Sequence, residues 1–580
     1  MLAKPMTRTV LDDEFANDMV VAEAVSPTNR LRGWLLVGLL LCCLAPRVWM
    51  AWRLDTLCND AVFYIQLAES YERGDLEAGL GQLRLNTFPP VLAWLHSAGL
   101  DWQTAGEIWG VALSSLTVLP LFGWLRRQFS ERLAVVGCLL YAVHPKLVES
   151  SPELIRDPTF WLLWTLSLYL TWRAAAEVRL RWYLLSGLCI ALALHTRFEG
   201  WTLYLPLIGW SVCRQVARAR ADRRDYQGMV RAAAGCAAAV ALCPLLLLAI
   251  NLTWLANQPR WEWGNFKRLE YVVLWSQATW AAIHDERRTS DEQTPGPAPR
   301  AEQPTAATAL AAPPPTSPEA SHRMSLARTL WMFVNALRRG FGALFGLGWI
   351  LGFACCPRLW IRRDHLVLFV VAGCIGAGAW VHLWYAQATS SRYFLCVVLL
   401  ASPCAAMGCC RAYRWLERAA NRLLAASQLV RSTNTVVRRE PWQNASARAI
   451  ALATLALLTL TANATELLAG QHLGRRREAA LGRWILNEFG PDQQISTPKP
   501  LGLVGFYAQA NTRALALEPA AMDGADLAVA LPFVAKPHEI RKFTELARRR
   551  GLKPVDHRRL PSGYDWGGVV VLARVKTTGS

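Results

Sequence analysis

The sequence predicts a polytopic α-helical membrane protein with a small α/β domain at its C-terminal end. Three observations lead there. Hydrophobic residues fill 53% of the 580 positions and charged residues only 18%, too apolar a balance for one soluble core. Tryptophan occurs 27 times, and its ring, apolar with a wet N–H, concentrates at membrane–water boundaries. Apolar runs of near membrane-crossing length recur along the chain, with basic residues collected in alternate loops between them.

The basic residues also explain the net charge of +19. Arg126, Arg127 and Arg132, then Arg173, Arg179 and Arg181, then Arg214, Arg218 and Arg220, then Arg358, Arg362 and Arg363 sit in alternate loops, as the positive-inside bias expects. No aromatic residues interleave with them as in single-strand binders, so the charge does not point to nucleic acid. The 15 cysteines lie mostly within apolar runs and form no CxxC pair, which argues against a zinc ribbon or a disulfide framework.

In chain order, Met1–Arg32 is polar, mixed in charge and expected to be a cytoplasmic tail. Asp12, Asp13 and Glu14 stand where a signal peptide would be basic. Gly33–Trp52 is the first expected span. Ten more follow at Ala105–Leu125, Leu133–Val148, Thr159–Trp172, Trp182–Thr196, Thr202–Val212, Ala232–Trp254, Leu330–Ala354, Leu366–Trp384, Phe394–Cys410 and Ala447–Ala464. A total of about eleven, tolerance ten to twelve, leaves the C-terminal stretch on the side opposite the N-terminus. Asp285–Arg323 is rich in Pro, Ala and Thr and reads as a disordered outer loop. In the last stretch, 465–580, strands are expected at Gln494–Thr497, Arg513–Leu517, Asp526–Ala530 and Gly568–Val575. Helices are expected at Glu478–Phe489, Leu501–Ala510 and Glu539–Arg550, which together suggest a mainly parallel sheet. No Gly-rich phosphate loop accompanies them, so the domain reads as a binding or capping unit.

Polar residues that can carry chemistry gather at four junctions expected on the outer side. They are Asp55 and Asp60 after the first span, Glu153, Arg156 and Asp157 before the fourth, Arg197 and Glu199 after the fifth, and Arg392-Tyr393 after the ninth. Ionisable groups near membrane depth are functional candidates by default, and the arginine fork suits a phosphate. Plainer readings stand beside these. Asp157-Pro158 also fits an N-cap and first helical position. Arg156 also fits a side chain reaching back to the interface, Arg197 with Glu199 an ion pair at a helix end, and Arg392-Tyr393 an interfacial anchor. His96, His144, His195 and His382 have no partner at metal-ligand spacing.

The motifs NDAVFYIQLAES after the first span, FPP leading into the second, ELIRDP, TRFEGW and SRYF resemble those of bacterial GT-C glycosyltransferases. Protein O-mannosyltransferases and lipid A aminoarabinose transferases are the nearer relatives. The resemblance spans about Trp34 to Cys410. It implies an inverting membrane enzyme that takes a sugar from a polyprenyl-phosphate donor on the outer face and passes it to a lipid, protein or wall-polymer hydroxyl. It implies a first-loop carboxylate as base, Asp60 first and Asp55 second. By position it gives the donor phosphate to Arg392 and Arg197, and acceptor or sugar orientation to Glu153 or Asp157. Some relatives use a divalent ion, which leaves metal dependence open. Asp60-Ala61 replaces the Asp-Glu pair commoner in mannosyltransferases and leaves the acceptor class open. A transporter or flippase would line its path with the same residues, but residues 33–254 and 330–464 show no repeat. A scaffold for a ligand-sensing outer domain would leave the four junctions unexplained.

Overall fold

The computed structural model describes residues 29–81, 85–221, 226–255, 326–355, 363–386, 390–429, most of 446–461 and, with short gaps, 473–574. The segment Asp285–Arg323, nearly all of the N-terminal tail and the end of the last expected span lie outside the described residues.

Helix α1 (Asn29–Arg53) carries Pro46 within its C-terminal half and is fastened by a wholly buried arginine. Arg47 donates to the carbonyls of Cys43 at 2.8 Å and Ala142 at 3.0 Å, and its guanidinium lies 4.9 Å from the Tyr141 ring centre. Three shorter helices follow, α2 (Asn59–Glu72), α3 (Leu76–Gly81) and α4 (Phe88–Ser97). The apolar face of α2, with Val62, Ile65 and Leu67, packs on Phe88 and Leu92 of α4.

Two helices, α5 (Trp102–Leu116) and α6 (Val118–Gln128), then meet end to end at Thr117. The expected span Leu133–Val148 is divided into α7 (Glu131–Val143) and α8 (Pro145–Glu149). His144 between them is extended, because Pro145 disfavours a helical residue before it. Helices α9 (Asp157–Glu177), α10 (Leu180–Thr196), α11 (Tyr204–Ala221) and α12 (Tyr226–Thr253) complete the first half. The expected span Leu330–Ala354 is likewise broken into α13 (Leu326–Phe341) and α14 (Ala343–Cys355) at Gly342, whose φ of +67° is a glycine conformation. Last come α15 (Arg363–Ala386) and the long α16 (Leu395–Leu429).

Among the described residues, five helical stretches are long and apolar enough to cross a membrane: Arg32–Arg53, Trp102–Gln128, Tyr226–Thr253, His365–Leu383 and Ser391–Leu424. The protein is therefore a multi-pass membrane protein. Trp124, Trp161, Trp164 and Trp210 are buried in its main core. Not every tryptophan is a boundary marker. Helices α14 and α16 cross almost backbone to backbone, since a side chain on Gly352 would strike the Cys404 carbonyl and one on Gly408 the Gly348 carbonyl.

The C-terminal part is a five-stranded sheet with helices on both faces. Its elements are α17 (Leu473–Phe489), β1 (Gln494–Thr497), α18 (Gly502–Tyr507), β2 (Asn511–Ala514), β3 (Leu527–Ala530), α19 (Pro537–Arg549), β4 (Leu552–Pro554) and β5 (Val570–Arg574). The order is β2-β1-β3-β5-β4. The β1 pairs are parallel and the β5 pairs antiparallel, so the sheet is mixed rather than mainly parallel. The reason is the route into β5, which comes back from β4 through residues 555–569 without a crossover α-helix. Helices α17 and α18 cover one face through Leu481, Ile485 and Val504, and α19 covers the other through Ile540 and Phe543.

Candidate active site

All four polar junctions converge on one cluster of carboxylates and arginines. Asp60 lies in the first turn of α2, where the helix dipole favours an anion. Its side chain is 49% exposed, and one oxygen accepts from Arg392 Nη2 at 2.6 Å. Arg392 sits in a short 3₁₀ turn, Ser391–Phe394, held by the hydroxyl of Ser390, which accepts from the Arg392 amide at 3.3 Å.

Arg197 is the centre of a second, buried group. It follows the last turn of α10 in extended conformation and donates to Asp157 on one side and to Glu199 on the other, at 2.6 and 3.2 Å. Its charge lies 5.8 Å from the Phe160 ring centre and 5.6 Å from that of Tyr393. Burial pushes the Glu199 carboxyl up, yet the adjoining Arg197 wins and holds it at about 2. Asp157 is the first residue of α9 but does not cap it. The cap position is Arg156, with no side-chain bond, and the Asp157 carboxylate is given to Arg197 instead.

The end of α10 is fixed by the NTFPP motif. Buried Asn86 donates to the Thr196 carbonyl at 3.1 Å and accepts from the Phe88 amide at 3.0 Å, and Thr87 and Thr196 share a hydroxyl bond of 2.6 Å. The 150–156 turn is pressed against α5, where a side chain on Gly110 would collide with the Ser151 carbonyl. Both loops are therefore positioned by packing, as a preorganised site requires.

Glu153 is 4% exposed and pairs with Arg475 of α17 at 2.6 Å. Asp55 is open to water and pairs with Arg476 at 3.0 Å. Neither arginine figures among the residues expected from sequence. The run Arg475-Arg476-Arg477, at the start of a domain expected on the same side as the junctions, is the signal that could have found them. Arg156 is half-buried and has no carboxylate within ion-pair distance among the described residues. Tyr393 Oη lies 3.5 Å from His382 Nε2. His195 stands aside, 3.9 Å from the Cys243 sulfur.

The cluster can bind anions and hold a base, and little else in it is reactive. Burial raises Cys58 and Tyr64 to about 12, which keeps both protonated. Among the described residues no three His, Cys, Asp or Glu side chains converge as metal ligands. Asp55, Asp60, Glu153, Asp157 and Glu199 are each engaged by an arginine.

Comparison with known proteins gives a fold likeness and a partial family match. The structure matches ArnT from Cupriavidus metallidurans in the apo state with a TM-score of 0.52 at 14% identity, over 94% of this chain and 98% of that one. It matches the same protein bound to undecaprenyl phosphate with 0.51 at 14% identity, over 96% and 100%. A weaker likeness, 0.47 at 12% identity over 87% and 70%, is to the apo oligosaccharyltransferase of Archaeoglobus fulgidus. No curated protein sequence matches the chain. The chain shares the fold of ArnT along nearly its whole length. Residues 88–250 match the family model described as dolichyl-phosphate-mannose-protein mannosyltransferase. That stretch contains Glu153, Asp157, Arg197 and Glu199 but neither Asp60 nor Arg392.

Proposed function

We propose that this protein transfers a sugar from a polyprenyl-phosphate donor to an acceptor hydroxyl, inverting the anomeric carbon, with Asp60 as the base. The observation that carries this reading is the Asp60–Arg392 pair: a water-accessible carboxylate bonded at 2.6 Å to an arginine suited to phosphate. The pair is a resting state. When the donor phosphate takes Arg392, with Arg156 close by in the cluster, Asp60 is released to the acceptor. Its carboxylate removes the hydroxyl proton as the oxygen attacks C1. The C1–O bond to phosphate breaks, and its electrons leave on the lipid phosphate, where the arginines stabilise them. Asp157, Glu199 and Arg197 form the fixed wall behind Tyr393, suited to orienting sugar or acceptor, and Glu153 belongs to the same wall.

Asp55 is the weaker candidate for base because its partner, Arg476, belongs to the C-terminal domain and not to the Arg392 group. The arginine-rich alternate loops support about eleven spans, a cytoplasmic N-terminus and a cluster facing outward beneath the C-terminal domain. A family description built on dolichyl-phosphate-mannose and a fold neighbour holding undecaprenyl phosphate support the donor class.

The test is sugar transfer by purified protein from a panel of polyprenyl-phosphate sugars. Asp60→Asn keeps the shape and removes the base. It should lower kcat by about 10²- to 10⁴-fold while undecaprenyl phosphate still binds. Equal turnover by the variant would remove Asp60 from the role.

A further inference from the structure

The C-terminal domain reaches into the polar cluster rather than only covering it. Tyr507 Oη of α18 accepts from the Leu57 amide at 3.1 Å, three residues before Asp60. Leu503 is buried in the same apolar cluster as Ala61 and Ile65 of α2. Through this contact α17 brings Arg475 to Glu153 at 2.6 Å. The two loops concerned touch: the Cys58 sulfur lies 4.0 Å from the carbonyl of Leu154, the residue after Glu153.

Glu153 is therefore a buried carboxylate whose loop touches the one carrying Asp60, the partner of Arg392. A buried anion stripped of its partner is strongly destabilised, so Glu153 without Arg475 would compete with Asp60 for Arg392. Arg475 supplies the partner from outside the membrane part and leaves Arg392 with Asp60.

We propose that Arg475 is a positioning residue for the transfer reaction: by engaging Glu153 it keeps Arg392 at Asp60, where the donor phosphate is received. The inference rests on the roles given to Asp60 and Arg392 above. The reacting centre then depends on a residue from the C-terminal domain, and undocking of that domain would move Arg392 toward Glu153 and disarm the site.

Two readouts test this in the full-length protein, affinity for undecaprenyl phosphate and kcat/KM for the donor. Arg475→Ala should lower both by about 10- to 100-fold, the range for losing one hydrogen bond to a charged group. Arg475→Lys should recover part of the loss. Arg475→Ala combined with Glu153→Gln should bind undecaprenyl phosphate more tightly than Arg475→Ala alone, because the competing charge is gone. Arg476→Ala breaks a water-exposed pair at the same interface and should cost several-fold less. A double variant no better than Arg475→Ala, or an Arg475→Ala protein equal to wild type, overturns the proposal. Undiminished transfer by Asp60→Asn would instead bring down the Asp60 assignment itself.

Discussion

Arg197 shows how far one side chain can be committed. It is almost wholly buried, bonded to two carboxylates and flanked by the rings of Phe160 and Tyr393. Removing one member of such a group strands the others. Arg197→Met should destabilise the fold by about 3–5 kcal/mol, read as a lower unfolding temperature in detergent, and should abolish transfer. Arg197→Lys keeps the charge but cannot serve Asp157 and Glu199 with a planar fork, so it should fall between the two. Asp60, Asp157, Arg197, Glu199 and Arg392 were legible in the sequence because each stands at the end of an apolar run, where a charge is conspicuous. Arg475 was not. Its partner is 322 positions away, so the run Arg475-Arg476-Arg477 flags a basic site without saying which carboxylate it meets. The capping reading of Asp157 failed for a related reason, since a distant arginine outcompeted the local amides.

Helix α17 presents a buried carboxyl one turn after Arg475. Burial raises Glu478 from 4.5 to about 7, with Arg475 pulling the other way. Below about 4.5 the carboxyl is protonated both folded and unfolded. Between 4.5 and about 7 the unfolded chain releases the proton and the folded one keeps it, so stability falls as pH rises, and the whole penalty is present above about 7. Glu478→Gln should therefore unfold at a higher temperature than wild type above pH 7, and the gain should vanish as pH drops toward 4.5. The crossing of α14 and α16 sets a different limit. Gly408→Val places a side chain where the Gly348 carbonyl already is, a misfit costing about 1–3 kcal/mol or more. It should lower the melting temperature without changing the pH profile. Neither Gly348 nor Gly408 stood out in the sequence, because glycine in an apolar run signals close approach only once its neighbour is known.

For the molecule as a whole, hydropathy disclosed a chain that crosses the membrane repeatedly, and strand–helix alternation disclosed the C-terminal sheet. It did not disclose the breaks at His144 and Gly342, since apolar content continues through both. Nor did it show that the sheet is mixed, since β4 is three residues long and ends in proline. One feature of the membrane part bears on how such a chain is made. Arg47 depends on the Ala142 carbonyl, 95 residues further on. At a synthesis rate of about 5–20 residues per second, the first helix waits roughly 5–20 s before that partner exists. During that interval the ribosome-bound intermediate carries a guanidinium that lipid cannot solvate. The nascent helix must therefore be held at the insertion machinery, or beside water, until α7 emerges to complete it.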